Sequence, residues 1–403
     1  MLNNLSSEIR QYIIVTGNYW AFTLTDGALR MLVVLYFYQL GYAPLDIALL
    51  FLFYEFFGVV TNLVGGWLGA RIGLNKTMNS GLILQVIALS LLLVPTELLT
   101  VAWVMFAQAL SGIAKDLNKM SAKSAVKALV PDNKQNTLYK WVAILTGSKN
   151  TLKGVGFFIG GLLLTWLDFK GAVGTMAIAL TLVWLFSIFN LKKELGKATN
   201  KPKFTHIFSK SRNINILSAA RLFLFGARDI WFVVALPVYL SSNLHWPHWQ
   251  VGSFLALWII GYGIVQTIAP RITNSASQTP DGRSAARWAM ALCLIPTVIA
   301  LGLMLNTNPN ITLIAGLLLF GILFAINSSL HSYLIVSYAD REGASLDIGF
   351  YYMANAMGRL IGTLLSGWVF QAYGLSACLF ISTLFIMFAM MISYGLPKHK
   401  ALL

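Results

Sequence analysis

Apolar residues fill this chain in long runs, separated by short polar stretches that carry most of its charge. A helix rises 1.5 Å per residue, so about 20 apolar residues in a row cross a hydrocarbon layer of about 30 Å. The runs predict helices near 12–40, 45–69, 77–95, 99–121, 141–167, 171–191, 216–240, 249–269, 286–305, 311–336, 346–370 and 376–396. The expected fold is therefore an all-α membrane protein of about twelve transmembrane helices. One polar stretch is longer than the rest: 192–212 holds seven Lys or Arg and a proline. It predicts a cytoplasmic linker between a six-helix half at 1–191 and another at 213–403.

The two halves echo each other. Gly27-Ala28-Leu29-Arg30 with Val33-Val34 in the first segment matches Gly226-Ala227-Arg228-Asp229 with Val233-Val234 in the seventh. Each is followed by a proline, Pro44 or Pro247, four residues before Ala48 or Val251. Lys153, Gly156 and Gly161 in the fifth segment match Arg359, Gly362 and Gly367 in the eleventh at identical spacing. Two echoes in one register of a six-helix repeat point to a secondary transporter of the major facilitator type. Gly66-Trp67-Leu68-Gly69-Ala70-Arg71-Ile72-Gly73 partly resembles that superfamily's loop motif, with Ala70 where an acidic residue is usual.

Composition narrows the function. The chain is 57% hydrophobic and only 11% charged, with mean hydropathy +0.71, outside the range of a soluble domain. Its net charge of +15 is concentrated in alternate loops, among them Arg71, Lys76, Lys192, Lys193, Lys197, Lys201, Arg271, Arg283, Arg341, Lys398 and Lys400, against Lys170 alone on the other side. That is the positive-inside pattern, and it predicts cytoplasmic termini rather than a nucleic-acid surface. The first run carries Asp26 and Arg30 and lacks a small-residue cleavage site, so no cleavable signal is expected. Cys293 and Cys378 stand alone in apolar segments, which excludes a disulfide framework or a Cys-rich metal site.

Arg30, Lys153, Arg228 and Arg359 fall near the middle of apolar segments. An ionisable group there costs about 2.5–3.5 kcal/mol even on the lenient insertion scale. Lys149 adds a fifth cation nearby. The carboxylates available to pair with them are Asp26, Glu55 and Asp229, and Asp26 precedes Arg30 by one turn, which makes an intrahelical pair natural. Lys115, Lys119, Lys123 and Lys127 recur every four residues and form a stripe along one helix. Lys115 and Lys119 are candidate ligands or an electrostatic ramp for anions; Lys123 and Lys127 fit a cytoplasmic anchor. Asn18, Asn62, Tyr351 and Asn355 are candidates to complete an anion shell, with Tyr19, Gln108, Asn327, His331 and Tyr352 beside them. Each could equally be a helix–helix hydrogen bond. Asp26, Glu55 and Asp229 are also candidate proton carriers. The set suits a small multiply charged anion and disfavours a hydrophobic cation.

The runs 18–30 (Asn18 to Arg30), 53–62 (Phe53 to Asn62) and 111–121 (Ser111 to Ser121) resemble the ArsJ-type organoarsenical efflux permeases of bacteria. That resemblance implies export of 1-arseno-3-phosphoglycerate across the inner membrane by alternating access. The substrate would come from a glyceraldehyde-3-phosphate dehydrogenase acting on arsenate, and its loss outside would give arsenate resistance. A phosphate and an arsenate ester need several cations, whereas trivalent arsenic wants clustered thiolates that two isolated cysteines cannot supply. The alternatives are uptake or exchange of a sugar phosphate or phosphoglycerate by the same fold, and an integral membrane enzyme. The enzyme would need catalytic acids or histidines at one face, and only His331 of five histidines lies in a span. No cofactor is expected, and the chain is expected to act as a monomer.

Overall fold

The computed structural model describes residues 6–41, 50–191, 195–198, 203–208, 211–273, 279–305, 307–341 and 343–397. The predicted start of the second segment, Pro44 and Ala48 of the first echo, and Lys192, Lys193, Lys201, Lys210, Lys398 and Lys400 lie outside them. The described residues form helices and turns with no strand. The helices are α1 (Ser7–Gln39), α2 (Leu52–Ile72), α3 (Leu74–Leu91), α4 (Val101–Leu129), α5 (Gln135–Asn190), α6 (Arg212–Phe232), α7 (Ala235–Ser242), α8 (His248–Ile272), α9 (Gly282–Met304), α10 (Pro309–Tyr338) and α11 (Ala344–Ser393). Among the described residues, seven stretches are long and apolar enough to cross a membrane. Two are double-length, α5 and α11, and each breaks at one residue with positive φ: Asp168 at 53° and Gly374 at 76°. The breaks fall between the predicted fifth and sixth segments and between the eleventh and twelfth. They also extend the repeat, since 153 to 359, 156 to 362, 161 to 367 and 168 to 374 are each spaced by 206 positions.

The burial pattern is inverted relative to a soluble protein. Phe189, Trp166, Ile178, Leu294, Val298 and Leu364 are exposed, while Asn62, Gln85, Gln108, Asn118, Asp229, Gln266 and Asn327 are fully buried. Hydrocarbon is the solvent that suits this arrangement, because each helix satisfies its own backbone.

Two compact units emerge from the contacts. The first comprises 1–134, 148–209 and 339–353; the second comprises 135–147, 210–338 and 354–403. They follow the sequence halves except that the starts of α5 and α11 are exchanged. The cause is close backbone approach at small residues. In the first unit a Cβ on Gly66 would lie 3.1 Å from the Gly349 Cα, and the Ser345 hydroxyl donates to the Gly66 carbonyl at 2.6 Å. In the second, a Cβ on Gly147 would meet the Gly263 carbonyl at 2.5 Å.

The same physics marks the internal repeat. Inside the first unit a Cβ on Gly156 would lie 3.1 Å from the Gly27 Cα; inside the second, a Cβ on Gly362 would lie 3.1 Å from the Gly226 Cα. The matching glycines are thus crossing points of matching helices. The loop after α2 turns on Gly73, whose φ of 100° ends α2 and begins α3 on the next residue. Part of the predicted linker docks on this turn: Leu74 donates to the Leu195 carbonyl, and Ala198 to the Ala70 carbonyl, both at 2.9 Å. Ala70 is completely buried there, so a carboxylate at this position would be desolvated under the docked backbone.

The seventh segment, expected as one helix, is interrupted. Proline lacks an N–H, and its ring clashes with the carbonyl four residues earlier. Pro237 therefore disrupts the chain at Val233, and α6 stops at Phe232 while α7 starts at Ala235. The freed Ala235 N–H donates to the Ser366 hydroxyl of α11 at 3.1 Å. Behind it, Trp231, Trp258, Phe320, Phe324 and Tyr262 pack as a buried aromatic core.

Candidate functional site

In the first unit the charges converge on a residue that the sequence did not single out. Tyr54 of α2 is completely buried, and its hydroxyl donates to Asp26 Oδ1 at 2.6 Å. The Arg30 guanidinium lies 4.1 Å from its ring centroid and Lys115 Nζ lies 3.8 Å from it. One phenol ring therefore carries two cations on its π-system and holds a carboxylate with its hydroxyl. Arg30 makes its ion pair with Glu55 at 2.8 Å. This corrects the intrahelical expectation: Arg30 on α1 reaches across to α2, and Asp26 accepts the hydrogen bond of the Tyr54 hydroxyl instead.

A fourth carboxylate joins the three expected. Asp116 of α4, 1% exposed at the side chain, pairs with Lys119 at 2.6 Å and Lys115 at 3.8 Å. Lys119 Nζ also lies 4.7 Å from the centroid of the Tyr352 ring, which packs edge-on against Tyr351 at 5.0 Å. Lys149 and Lys153 are half-buried on α5. Lys123 and Lys127, read as surface anchors, are buried instead, and Lys127 pairs with Asp132 at 3.2 Å. Asp132 is further paired with Arg341 at 3.5 Å.

Two candidates join helices in the manner of interhelical hydrogen bonds or bond within their own helix. The Asn18 amide donates to Ser187 Oγ at 2.8 Å, and Ser187 donates to Asn79 at 2.6 Å, tying α1, α3 and α5 together. The Asn62 amide donates to the Gly58 carbonyl in its own helix.

In the second unit the cluster is simpler. Asp229 of α6 is completely buried and receives two arginines, Arg228 at 2.5 Å and Arg359 of α11 at 3.0 Å. Two guanidiniums meet on one carboxylate, and the cluster sits one turn before the α6–α7 interruption. A discontinuous helix beside charged side chains is the common sign of a transporter binding site. Arg228 is framed by Phe225, Phe324 and Phe232, with centroids at 5.0, 5.5 and 5.8 Å.

Asn355, proposed as a ligand, accepts from Arg221 Nε at 2.8 Å. Arg221 is 3% exposed and also donates to the Ser328 carbonyl and hydroxyl, both at 3.3 Å. The sequence reading missed this arginine; the available signal was its place seven residues before Arg228 on an apolar helix. Among the described residues, no group of three His, Cys, Asp or Glu is placed to hold a metal ion.

The comparisons with known proteins agree with this architecture. The human organic anion transporter MFSD10 (TETRAN) superposes with a TM-score of 0.77 at 15% identity, covering 96% of this chain and 100% of that one. A variant of the E. coli fucose:proton symporter FucP gives 0.75 at 13% identity, over 97% and 99%. A bacterial homologue of the iron transporter ferroportin in its outward-facing state gives 0.74 at 14%, over 95% and 98%. At such identities the likeness shows the fold alone. No curated protein compared matches in sequence. The sequence profile of the Major Facilitator Superfamily matches residues 15–277 and 217–401, so the chain, a multi-pass membrane protein of the transporter type, belongs to the major facilitator superfamily.

Proposed function

We propose that this protein exports a doubly anionic organoarsenical, 1-arseno-3-phosphoglycerate, from the bacterial cytoplasm across the inner membrane by alternating access. The observation that carries the reading is the Arg228–Asp229–Arg359 cluster, in which two half-buried guanidiniums lie against one buried carboxylate beside a broken helix. Arginine offers a planar fork that binds phosphate- or arsenate-type oxygens in pairs. Arg30, with Lys115, Lys119, Lys149 and Lys153, is the corresponding cation set of the first unit. Glu55 holds Arg30, Asp116 holds Lys115 and Lys119, and Asp229 holds Arg228 and Arg359 until the anion arrives. The resemblance of 18–30, 53–62 and 111–121 to the ArsJ-type permeases supplies the identity of the cargo. The dehydrogenase that makes it is a functional partner, and the transporter acts as a monomer.

The test uses an arsenic-sensitive host expressing the protein with and without a glyceraldehyde-3-phosphate dehydrogenase. Cell-associated arsenic should fall under arsenate only when both are present, and arsenite tolerance should not change. Equal protection against arsenite, or protection without the dehydrogenase, would overturn the cargo. Arg30→Ala and Arg228→Ala should each weaken binding roughly tenfold to a hundredfold, as expected for loss of a charged hydrogen bond of about 1.5–3 kcal/mol.

A further inference from the structure

We propose that Tyr54 is a positioning residue for the cations of the first unit: its hydroxyl occupies Asp26, so that Arg30 pairs instead with Glu55, a partner that an arriving anion can displace. The inference rests on the reading of Arg30 as a ligand of the transported anion, and deepens it. Asp26 precedes Arg30 by four residues on α1, the spacing at which an acid and a base on one helix meet. The contacts that form are different. The Tyr54 hydroxyl donates to Asp26 Oδ1 at 2.6 Å, and Arg30 Nη2 donates to Glu55 Oε1 at 2.8 Å. Asp26 still acts on Arg30 electrostatically, so the two remain neighbours and the tyrosine hydrogen bond decides between two carboxylates. They are not equivalent. Asp26 is 4% exposed, whereas the Glu55 side chain is 36% exposed. A pair open to water is screened and weak, and a buried pair is costly to break. Tyr54 thus gives Arg30 the partner that is easier to replace.

The packing around Tyr54 holds it to this place. The residue is completely buried. A Cβ on Gly112 would lie 2.6 Å from the Tyr54 carbonyl oxygen and 2.9 Å from its Cα, so α4 meets the backbone of α2 there. That approach lets Lys115, one turn beyond Gly112, bring its Nζ to 3.8 Å from the ring centroid, while the Arg30 guanidinium comes to 4.1 Å from α1. An aromatic face attracts both cations without neutralising either. The ring therefore gathers two cations from two helices, and the hydroxyl engages the buried acid that is spaced to pair with one of them. An oxyanion that takes the place of Glu55 meets the Arg30 fork directly. Without the hydroxyl, Asp26 would compete for that fork from the same helix.

The experiment uses purified full-length protein as wild type, Tyr54→Phe, and Tyr54→Phe combined with Asp26→Asn. Two quantities are measured: the unfolding temperature without ligand, and the half-saturating concentration of 3-phosphoglycerate in a thermal-shift titration. Tyr54→Phe keeps the ring and releases Asp26, which should then capture Arg30, so half-saturation should rise by roughly tenfold or more. Adding Asp26→Asn should return half-saturation to within about threefold of wild type, while lowering the unfolding temperature further because it breaks the new pair. Affinity recovering as stability falls separates a positioning role from a structural one, in which the two would move together. An unfolding temperature that rises on adding Asp26→Asn would show that Asp26 had stayed unpaired in Tyr54→Phe, and would overturn the proposal. Half-saturation unchanged in Tyr54→Phe, or still high in the double variant, would overturn it as well. If wild type itself does not respond to 3-phosphoglycerate, the reading of Arg30 as an anion ligand fails, and the sign of the ligand-free unfolding change alone decides whether Tyr54 keeps Asp26 from Arg30.

Discussion

Asp229 makes the sharpest prediction, because one buried carboxylate compensates two arginines. Asp229→Asn keeps the shape and removes the charge with which both Arg228 and Arg359 pair. Removing one partner of a buried ion pair costs about 3–5 kcal/mol. The second unit has about 190 residues, a size at which each kcal/mol moves Tm by about 2–4 °C, so the fall should be roughly 6–20 °C. Arg359→Gln is milder: Asp229 keeps Arg228 at 2.5 Å, and the lost group is already 33% exposed at its side chain. Its loss should be about 1.5–3 kcal/mol, the range for a charged hydrogen bond. The double variant is the decisive member. Asp229→Asn with Arg359→Gln removes one of the two cations that had paired with Asp229, so it should be more stable than Asp229→Asn alone. The assay is thermal unfolding in detergent followed by intrinsic fluorescence, for which 12 tryptophans give ample signal. A Tm for Asp229→Asn within about 2 °C of wild type, below the smallest fall expected from the lost pair, or a double variant weakened by the sum of the two, would refute the view that Asp229 compensates both arginines.

Three further outcomes follow from named contacts. Tyr54→Phe leaves the ring beneath Arg30 and Lys115 but strips the donor from buried Asp26; it should lose about 1–3 kcal/mol in the same unfolding assay. Gly156→Ala puts a methyl 2.7 Å from the Leu24 carbonyl and should lose about 1–3 kcal/mol by overpacking, whereas Gly174→Ala, with nothing within 4 Å, should gain up to about 1 kcal/mol from helix propensity. Asn18→Ala breaks the bond to Ser187: unfolding temperature should drop while the thermal shift produced by 3-phosphoglycerate stays as in wild type, and a lost shift would place Asn18 in the binding shell.

The fold was legible because it depends on properties that a sequence displays directly. Hydrophobic run length places the helices, and glycine spacing locates where they cross. The interruption of α6 and α7 escaped because hydropathy is blind to it, although Pro237 offered a backbone reason. Site residues were legible one at a time but not as partners. Asp26 and Arg30 are correctly spaced for an intrahelical pair, yet which way Arg30 turns is decided by Glu55 on a neighbouring helix. Tyr54 looked like one aromatic among many, since nothing in its sequence neighbourhood reveals that three charged groups meet on it. Arg221 went unnoticed because its role rests on Ser328 and Asn355, more than a hundred residues away in sequence.

The breaks at Asp168 and Gly374 preserve a record of ancestry. A duplicated gene forgets its origin fastest where many residues serve equally well, and the two halves of this chain have done so over most of their length. What survives in step is what geometry left little freedom to change: a cation, two glycines and a reversal of the backbone, each repeated 206 positions later. At the reversal the copies have parted in chemistry, one keeping glycine and the other holding the same positive-φ, extended-ψ reversal with an aspartate, in a region that side chains rarely adopt. The solved structures at 13–15% identity share the fold but few single residues, so the comparison of one half of the chain with the other is informative at that level. Comparing one half with the other separates what the architecture dictates from what the cargo demanded, and between α1 and α6 that comparison sets Arg30 against Asp229, where the halves took opposite charge.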